Sequence, residues 1–183
     1  MDTRLAPRDD FADFTDFVRS RQRAWLRTAY LLCGNATEAE DLLQVALVKL
    51  ARHWQRVRRD QPDAYLRRIL YRDSISAWRA RSRERRSLAR LAAQPVPTHD
   101  EMAEVGHRLD VERALAALTP KQRALVVLRF IEDRTEREAT LFRSAELLGV
   151  TVGTVKSQTH VALEKLRAAL PGVDVPVVSG GER

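Results

Sequence analysis

Hydroxyl, amide, ammonium and imidazole side chains follow Gly149, on a segment whose apolar residues recur every three or four positions. At about 100° per residue of an α-helix, Val155, Thr159 and Ala162 share one side and are predicted to pack inward. The other side carries groups that can bond phosphates and base edges, and a valine suited to a thymine methyl. These outward residues are Thr154, Lys156, Ser157, Gln158, His160 and Val161. The pattern predicts a DNA-reading helix, although any helix pair with a polar outer face would share it.

A preceding helix must hold this one in place, and the sequence predicts it. Thr135 and Glu138 have the S/T-x-x-E/Q spacing of a capping box, which satisfies exposed backbone donors at a helix start. A break at residues 149–151 then separates this helix from the next. A helix, a short glycine-containing turn and a second helix form a helix-turn-helix, whose second helix enters the major groove.

A second chemically suited set of residues lies between Arg67 and Arg90, where nine arginines accompany only two acidic residues. This density of positive charge favours phosphates and predicts binding that weakens steeply with salt. Tyr65, Tyr71 and Trp78 lie among or beside these arginines, and aromatic rings stack on unpaired bases at about 1–3 kcal/mol each. The alternative is that one or two of these rings, Tyr65 first among them, belong to the core.

The overall charge agrees with a nucleic-acid partner. The 183 residues include 32 Lys and Arg against 25 Asp and Glu, which gives a formal net charge of +7. A basic protein without such a partner would have the same composition. Cys33 is the one cysteine, which excludes an internal disulfide and a cysteine-rich zinc site and suits a reducing cytoplasm.

Catalysis has no support in the sequence. The four histidines are scattered, and no phosphate-cradling glycine loop or nucleophile motif is present. There is neither a secretory leader nor an apolar run of the roughly 20 residues that span a membrane. We therefore expect no catalytic residues, no metal, no cofactor and no insertion into a membrane.

Helical signals recur along the chain, and no convincing strand interrupts them. Capping-box spacing predicts helix starts at Thr37, Thr119 and Thr135. Apolar residues recur at helical intervals in the series Leu43, Leu47, Leu50 and Trp54. The predicted fold class is all-α.

A change of composition after Trp78 divides the chain. Residues 81–107 are first rich in arginine and then contain Pro95 and Pro97, which resist helix formation. We predict a flexible linker there, helical at most in its first turns. It joins two small helical domains, residues 1–80 and 108–170, and a flexible tail follows at residues 171–183.

Four stretches of the chain together indicate a protein family: RTAYLLCGNATEAEDLLQVALVKLARHW, AYLRRILYRDSISAWRARSR, ALAALTPKQRALVVLRFIED and AELLGVTVGTVKSQTHVALEKLR. They resemble bacterial RNA polymerase sigma factors of the extracytoplasmic-function (ECF) group. The first is similar to sigma regions 2.1 to 2.2, the second to regions 2.3 and 2.4, and the last two to region 4. The two signatures occur in the order that the family has.

The resemblance implies a function and a set of partners. In that family, region 4 is a winged-helix-like helix-turn-helix domain that binds the minus-thirty-five promoter element, and region 2 binds the minus-ten element. The chain is then expected to bind core RNA polymerase, at the clamp helices of the largest subunit and at the flap. It would direct promoter recognition, DNA melting and transcription initiation in the cytoplasm without catalysis of its own. An anti-sigma factor is a further partner that the resemblance allows.

The resemblance also assigns residues to each contact. It assigns polymerase binding to Asp41, Leu42 and Gln44. It assigns binding of minus-ten DNA, including the melted non-template strand, to Arg58, Arg59, Arg67, Arg68, Tyr71, Arg72, Trp78 and Arg79. Duplex minus-thirty-five DNA falls on the outward residues from Thr154 to Val161, and residues 56–63 are expected to receive a flipped minus-ten base.

The sequence departs from the family pattern at several positions. Arg72 stands where asparagine is usual, Ser76 where many members have aspartate, and Val161 where arginine is common. Residues 134–144 form a stretch about five residues longer than usual, more than one helical turn. We expect this stretch to affect how region 4 docks and which sequence it reads, and not the class of protein.

Two other functions would explain parts of the chain. A self-sufficient helix-turn-helix transcriptional regulator would account for the C-terminal helices, and its dimers would read paired half-sites. It would leave the AEDLLQ stretch and the arginine-rich helix without a role. An enzyme acting on nucleic acid would need clustered carboxylates or a metal site, which the sequence does not show.

Overall fold

Helices make up the described part of the chain. The computed structural model describes residues 7–59, 61–91, 106–132 and 137–176, and these residues contain no β-strand. The all-α prediction is confirmed. Within the described residues the elements are α1 (Pro7–Cys33), α2 (Ala36–Arg52), α3 (Trp54–Val57), α4 (Pro62–Leu91), α5 (Gly106–Ala116), α6 (Pro120–Val126), a π-helical turn (Val127–Glu132), α7 (Arg137–Leu148) and α8 (Val152–Ala169).

The contacts divide the chain into two compact units, Met1–Leu70 and Tyr71–Arg183. The division falls inside α4, which continues to Leu91 and therefore includes the first residues of the predicted linker. Residues 92–105 of that linker lie outside the described residues. The domain boundaries expected from the sequence stay predictions, because the division of contacts falls within one continuous helix and does not test them.

Gly34 separates α1 from α2. Its φ of 76° is left-handed, a conformation that glycine adopts without steric cost, and α1 ends at the preceding Cys33. Asn35 then caps α2, since its side-chain oxygen accepts the Glu38 backbone N–H at 3.1 Å. The cap predicted at Thr37 is wrong, because this immediate reversal of the chain places the cap two residues earlier.

Aromatic packing around Trp54 anchors the turn between α2 and α4. The Trp54 ring lies 5.2 Å from the Phe14 ring in an edge-to-face arrangement and 5.3 Å from the Phe17 ring. Both phenylalanines belong to α1, so the turn is fixed to that helix. Other buried apolar residues of this unit are Trp25, Ala29, Leu32, Ala39, Leu42, Leu43, Ala46, Leu50, Leu66 and Leu70.

The predicted helix-turn-helix lies in the second unit. Residues 149–151 separate α7 from α8, and Gly149 has a left-handed φ of 64° that allows the sharp turn. Thr151 caps α8 by accepting the Thr154 backbone N–H at 3.1 Å. The helix order therefore agrees with the prediction. The start of α7 predicted at Thr135 lies outside the described residues.

The core beneath the helix-turn-helix joins three helices. Val155 of α8 packs with Leu125 of α6 and Ala145 of α7 in one buried cluster. Four partly buried apolar residues surround it: Leu141, Leu148, Val150 and Val152. Apolar contacts of this kind, each weak and together large, orient α8 relative to its neighbours.

The residues after α8 fold back on its last turn. Val175 is buried, and the Arg167 guanidinium donates to the Pro176 carbonyl oxygen at 2.8 Å. Residues 171–176 therefore differ from the flexible tail expected from the sequence, because an apolar side chain and a hydrogen bond hold them. Residues 177–183 lie outside the described residues.

Replacing Trp54 with alanine should lower the free energy of unfolding by about 3–5 kcal/mol, because it removes a buried ring and its two aromatic contacts. Trp78→Ala is the matched control: that ring is 37% exposed, so its removal should cost about 1 kcal/mol or less. Chemical denaturation of the full chain, followed by circular dichroism, measures both. Equal destabilisation of the two variants would contradict the anchoring role of Trp54.

Candidate nucleic-acid interface

Helix α8 separates its inward and outward sides as predicted. Val155, Thr159 and Ala162 have no exposed surface, which confirms that they pack inward. The outward residues, which we call the recognition face, are exposed or, at its edges, half-buried: Thr154, Lys156, Ser157, Gln158, His160 and Val161. The face thus combines donors, acceptors and one apolar side chain, all accessible to a ligand.

Hydrogen bonds inside α8 determine what its first residues can offer. The Ser157 hydroxyl donates to the Thr154 carbonyl oxygen at 3.2 Å, so its lone pairs remain available as acceptors. The hydroxyl oxygens of Thr154 and Thr151 lie 2.9 Å apart. A methyl group added at Gly153 would meet only Thr151 Oγ1, at an ordinary 3.8 Å. Crowding by the described protein therefore does not require glycine there, which agrees with close approach by an external partner.

An acidic residue stands near the far end of the recognition face. His160 Nε2 lies 3.4 Å from Glu164 Oε1, one helical turn further on, and both side chains are more than half exposed. Exposed pairs of this kind contribute little to stability. A phosphate that approached His160 would compete with this carboxylate, so Lys156 is the better candidate on this face for a phosphate contact.

Four arginines share one exposed side of α4. Counted at about 100° per residue, they fall within an arc of about 60°. This arginine face consists of Arg68, Arg72, Arg79 and Arg83, all exposed. Arg72 also donates from its Nε to the Leu147 carbonyl oxygen at 3.3 Å. Trp78 stands at its flank and is also exposed. Arg83 was not among the predicted site residues, although its position four residues after Arg79 could have identified it.

Three residues predicted to bind minus-ten DNA instead face the protein. The Arg67 guanidinium lies over the Trp25 ring, 5.7 Å from its centre, in a cation–π contact. Arg58 pairs with Asp13 at 3.3 Å. Tyr71 is fully buried, so its ring is not open to stacking by a base in this structure.

Arg59 and Tyr65 are the two remaining residues in this region that the sequence analysis singled out. Arg59 is exposed in the turn before α4. Tyr65 is half-buried, with its ring 5.8 Å from that of His53. Its placement agrees with the alternative that assigned Tyr65 to packing. The DNA-binding roles of all these residues stay predictions.

Helix α2 exposes two valines that the sequence reasoning missed. Val45 and Val48 are 49% and 48% exposed, on the same side of the helix as the exposed Asp41 and Gln44. We call these four residues the valine face. Leu42, predicted to contact a partner, is instead buried in the core. Both valines lie outside the apolar stripe of α2. An apolar residue off this stripe is the sequence feature that could have identified them as exposed.

Metal ligands and membrane spans receive no support from the described residues. Within them, no three His, Cys, Asp or Glu side chains are grouped so as to hold a metal ion. No helix in the same part of the chain combines the length and the apolar character that crossing a bilayer requires.

A helix-turn-helix with a polar recognition face, together with an arginine-lined helix, defines a DNA-binding protein with a second basic surface. Family comparisons give the particular class. Residues 17–84 match the model for Sigma-70 region 2, and residues 114–168 match the model for Sigma-70, region 4.

Individual relatives agree with this family. The RNA polymerase sigma-E factor of Streptomyces coelicolor is 38% identical over 165 residues, which cover 89% of each chain. The ECF RNA polymerase sigma factor SigW of Bacillus subtilis is 25% identical over 184 residues, 88% of this chain and 89% of SigW. The fold is similar to that of the sigma factor RpoE from Bartonella quintana, solved with the anti-sigma factor NepR. That likeness has a TM-score of 0.65 at 24% identity and covers 86% of this chain and 96% of RpoE.

The chain belongs to the sigma-70 family of RNA polymerase sigma factors, in its ECF group. Proteins of this class bind core RNA polymerase and promoter DNA, and this chain directs promoter-specific transcription initiation. The sigma-factor prediction is confirmed.

Replacing Arg68 and Arg79 with alanine should reduce the salt dependence with which the polymerase holoenzyme binds a single-stranded oligonucleotide. The slope of log K against log salt is negative, and each phosphate that is no longer neutralised reduces its magnitude by about 0.7, so the pair should reduce the magnitude by about 1.4. Arg19→Ala with Arg23→Ala removes the same charge from exposed positions on α1 and should leave the slope unchanged. Equal slopes for both double variants would show that the arginine face does not touch phosphates.

Proposed function

We propose that three surfaces of this sigma factor divide the work of initiation. The recognition face of α8 reads the minus-thirty-five duplex, the arginine face of α4 with Trp78 holds the melted minus-ten strand, and the valine face of α2 binds core polymerase. The observation that best supports the first of these is the complete burial of Val155, Thr159 and Ala162, which leaves Lys156, Ser157 and His160 on the exposed side of α8.

The recognition face suits duplex DNA because it mixes contact types. Lys156 can neutralise a phosphate, whereas Ser157 offers lone pairs to base amino groups and Val161 offers an apolar surface to a thymine methyl. Glu164 is the first acidic residue after the start of α8, so the first two turns present no negative charge to the duplex.

The arginine face suits a single strand because its charges follow the helix at the spacing of successive turns. Trp78 beside them supplies a ring for an unstacked base, which can contribute about 1–3 kcal/mol. Strand separation is then driven by binding energy that only the melted state gains. The protein needs no catalytic group for this, and we assign it none. Arg58, Arg67 and Tyr71 have weaker support as contacts, since each packs against or within the protein. Arg59 is exposed and is proposed as a further phosphate contact.

The valine face suits a protein partner because it exposes apolar surface between polar groups. Burial of two valines supplies affinity, and Asp41 and Gln44 supply direction through hydrogen bonds. Leu42 is buried and supports the valine face indirectly, because it packs α2 against the core. The clamp helices of the largest polymerase subunit are the proposed partner, with the flap as the partner of the second unit.

Location and regulation follow from these partners. We place the protein in the cytoplasm, where bacterial RNA polymerase works. The solved RpoE is bound to the anti-sigma factor NepR, and we propose that an anti-sigma factor likewise controls this chain by covering one of its polymerase-binding surfaces.

Replacing Val45 and Val48 with serine should weaken binding to core polymerase at least about tenfold, because two partly exposed valines no longer bury apolar surface against it. The matched control is Val111→Ser with Val173→Ser, two valines of similar exposure elsewhere, which should leave the affinity unchanged. Titration of labelled chain with purified core enzyme measures both. A weakening shared by the two pairs would count against a specific valine face.

Replacing Lys156, Ser157 and His160 together with alanine should remove upstream promoter recognition and leave polymerase binding intact. The test is transcription of a genomic DNA library by core polymerase, with sequencing of the start sites. Starts directed by the parent chain should share an upstream motif, and those directed by the variant should not. Arg19→Ala, which also removes one positive charge, is the control.

Two results would contradict this assignment. Loss of polymerase binding in the triple variant would indicate that the recognition face contacts polymerase rather than promoter DNA. Tight and specific duplex binding by the chain without polymerase would instead favour the self-sufficient regulator.

A further inference from the structure

Gln122 links the start of α6 to the recognition face of α8. Its side chain is 5% exposed, and its Nε2 donates to Gln158 Oε1 at 3.2 Å. Its own Oε1 accepts the Thr119 backbone N–H at 3.2 Å and lies 3.4 Å from Lys165 Nζ. One buried amide therefore contacts both the helix cap and a residue of the recognition face.

The donors around Gln122 fix the direction of this chain of hydrogen bonds. A backbone N–H and a lysine ammonium can only donate, so the atom that meets Thr119 and Lys165 must be the carbonyl oxygen of Gln122. Its NH₂ group therefore donates to Gln158, which must accept with its side-chain oxygen. The NH₂ group of Gln158 is left to donate outward.

Helix capping alone does not explain the amide at position 122. In a capping box the third residue only has to accept the N–H of the cap residue, which a glutamate does as well as a glutamine. Only an amide can accept from Thr119 and donate to Gln158 at the same time. The choice of glutamine is thus accounted for by its second contact.

We propose that Gln122 is a positioning residue that sets the base preference of Gln158. With its oxygen held, Gln158 offers donors and selects guanine or thymine, which present acceptors and no amino group in the major groove, over cytosine, which presents an amino group. A Gln158 turned the other way would offer its oxygen and select a base with an amino group, cytosine or adenine. This inference rests on the proposed reading of the minus-thirty-five duplex by α8.

Gln122→Glu tests the proposal with little change of shape. Glutamate keeps the capping box and the contact with Lys165, and it replaces the donor to Gln158 with an acceptor. Gln158 should then rotate its NH₂ inward and its oxygen outward. The expected result is a switch at one upstream position from guanine or thymine to cytosine or adenine, with an enrichment on the order of fivefold to tenfold.

The measurement is selection of duplexes, randomised over the upstream element, by holoenzyme assembled from core polymerase and the full chain. Gln158→Ala identifies the position, because it should relax the preference at that base only. In the double variant Gln122→Glu with Gln158→Ala, the switch should disappear. A general effect of the added negative charge would instead weaken binding of all sequences and persist in the double variant.

Gln158→Glu gives a second measurement that leaves α6 untouched. Its carboxylate accepts from Gln122 with one oxygen and presents the other outward, so it should select the same amino-bearing bases. An unchanged preference in both Gln122→Glu and Gln158→Glu, with a clear motif in the parent, would overturn the proposal and leave the reading by α8 intact. The absence of any upstream motif in the parent would overturn both.

Discussion

The burial of one side of α8 is the constraint on which the proposed DNA-reading surface depends. Val155 packs against Leu125 and Ala145, and the left-handed turn at Gly149 brings α7 and α8 together at the angle this packing needs. Rotation of α8 by one residue, about 100°, would bury polar groups of the recognition face and expose apolar ones. The core therefore fixes the identity of the outward residues before any DNA is present.

In the other helices to which we assign a function, a buried stripe likewise determines which residues are exposed. Helix α2 buries Leu42, Leu43 and Leu50, and this leaves Val45 and Val48 outside. In α4 the exposed side is charged rather than apolar. The two surfaces differ in kind: apolar contact persists in salt, whereas contacts between arginines and phosphates weaken as salt is added.

Sequence reasoning predicted the helical fold, the helix-turn-helix and the outward side of α8, because each depends on local spacing and local caps. It did not indicate the contacts that individual residues make with residues distant in the chain. The burial of Tyr71, the pairing of Arg58 with Asp13 and the contact of Arg67 with Trp25 are tertiary, and no periodicity in α4 indicates them. The cap of α2 was misplaced because two adequate caps, Asn35 and Thr37, stand two residues apart. The link between Gln122 and Gln158 spans 36 positions and becomes visible only once α6 and α8 are packed.

All three tryptophans lie in the N-terminal part of the chain, at positions 25, 54 and 78. Two of them are buried and the third stands exposed beside the arginine face. The intrinsic fluorescence of the free chain therefore arises in that part, and Trp78 is the emitter most open to aqueous quenchers. A nucleobase that stacked on it, as we propose, would quench that indole directly, so the unmodified protein would carry its own optical reporter of the proposed strand capture.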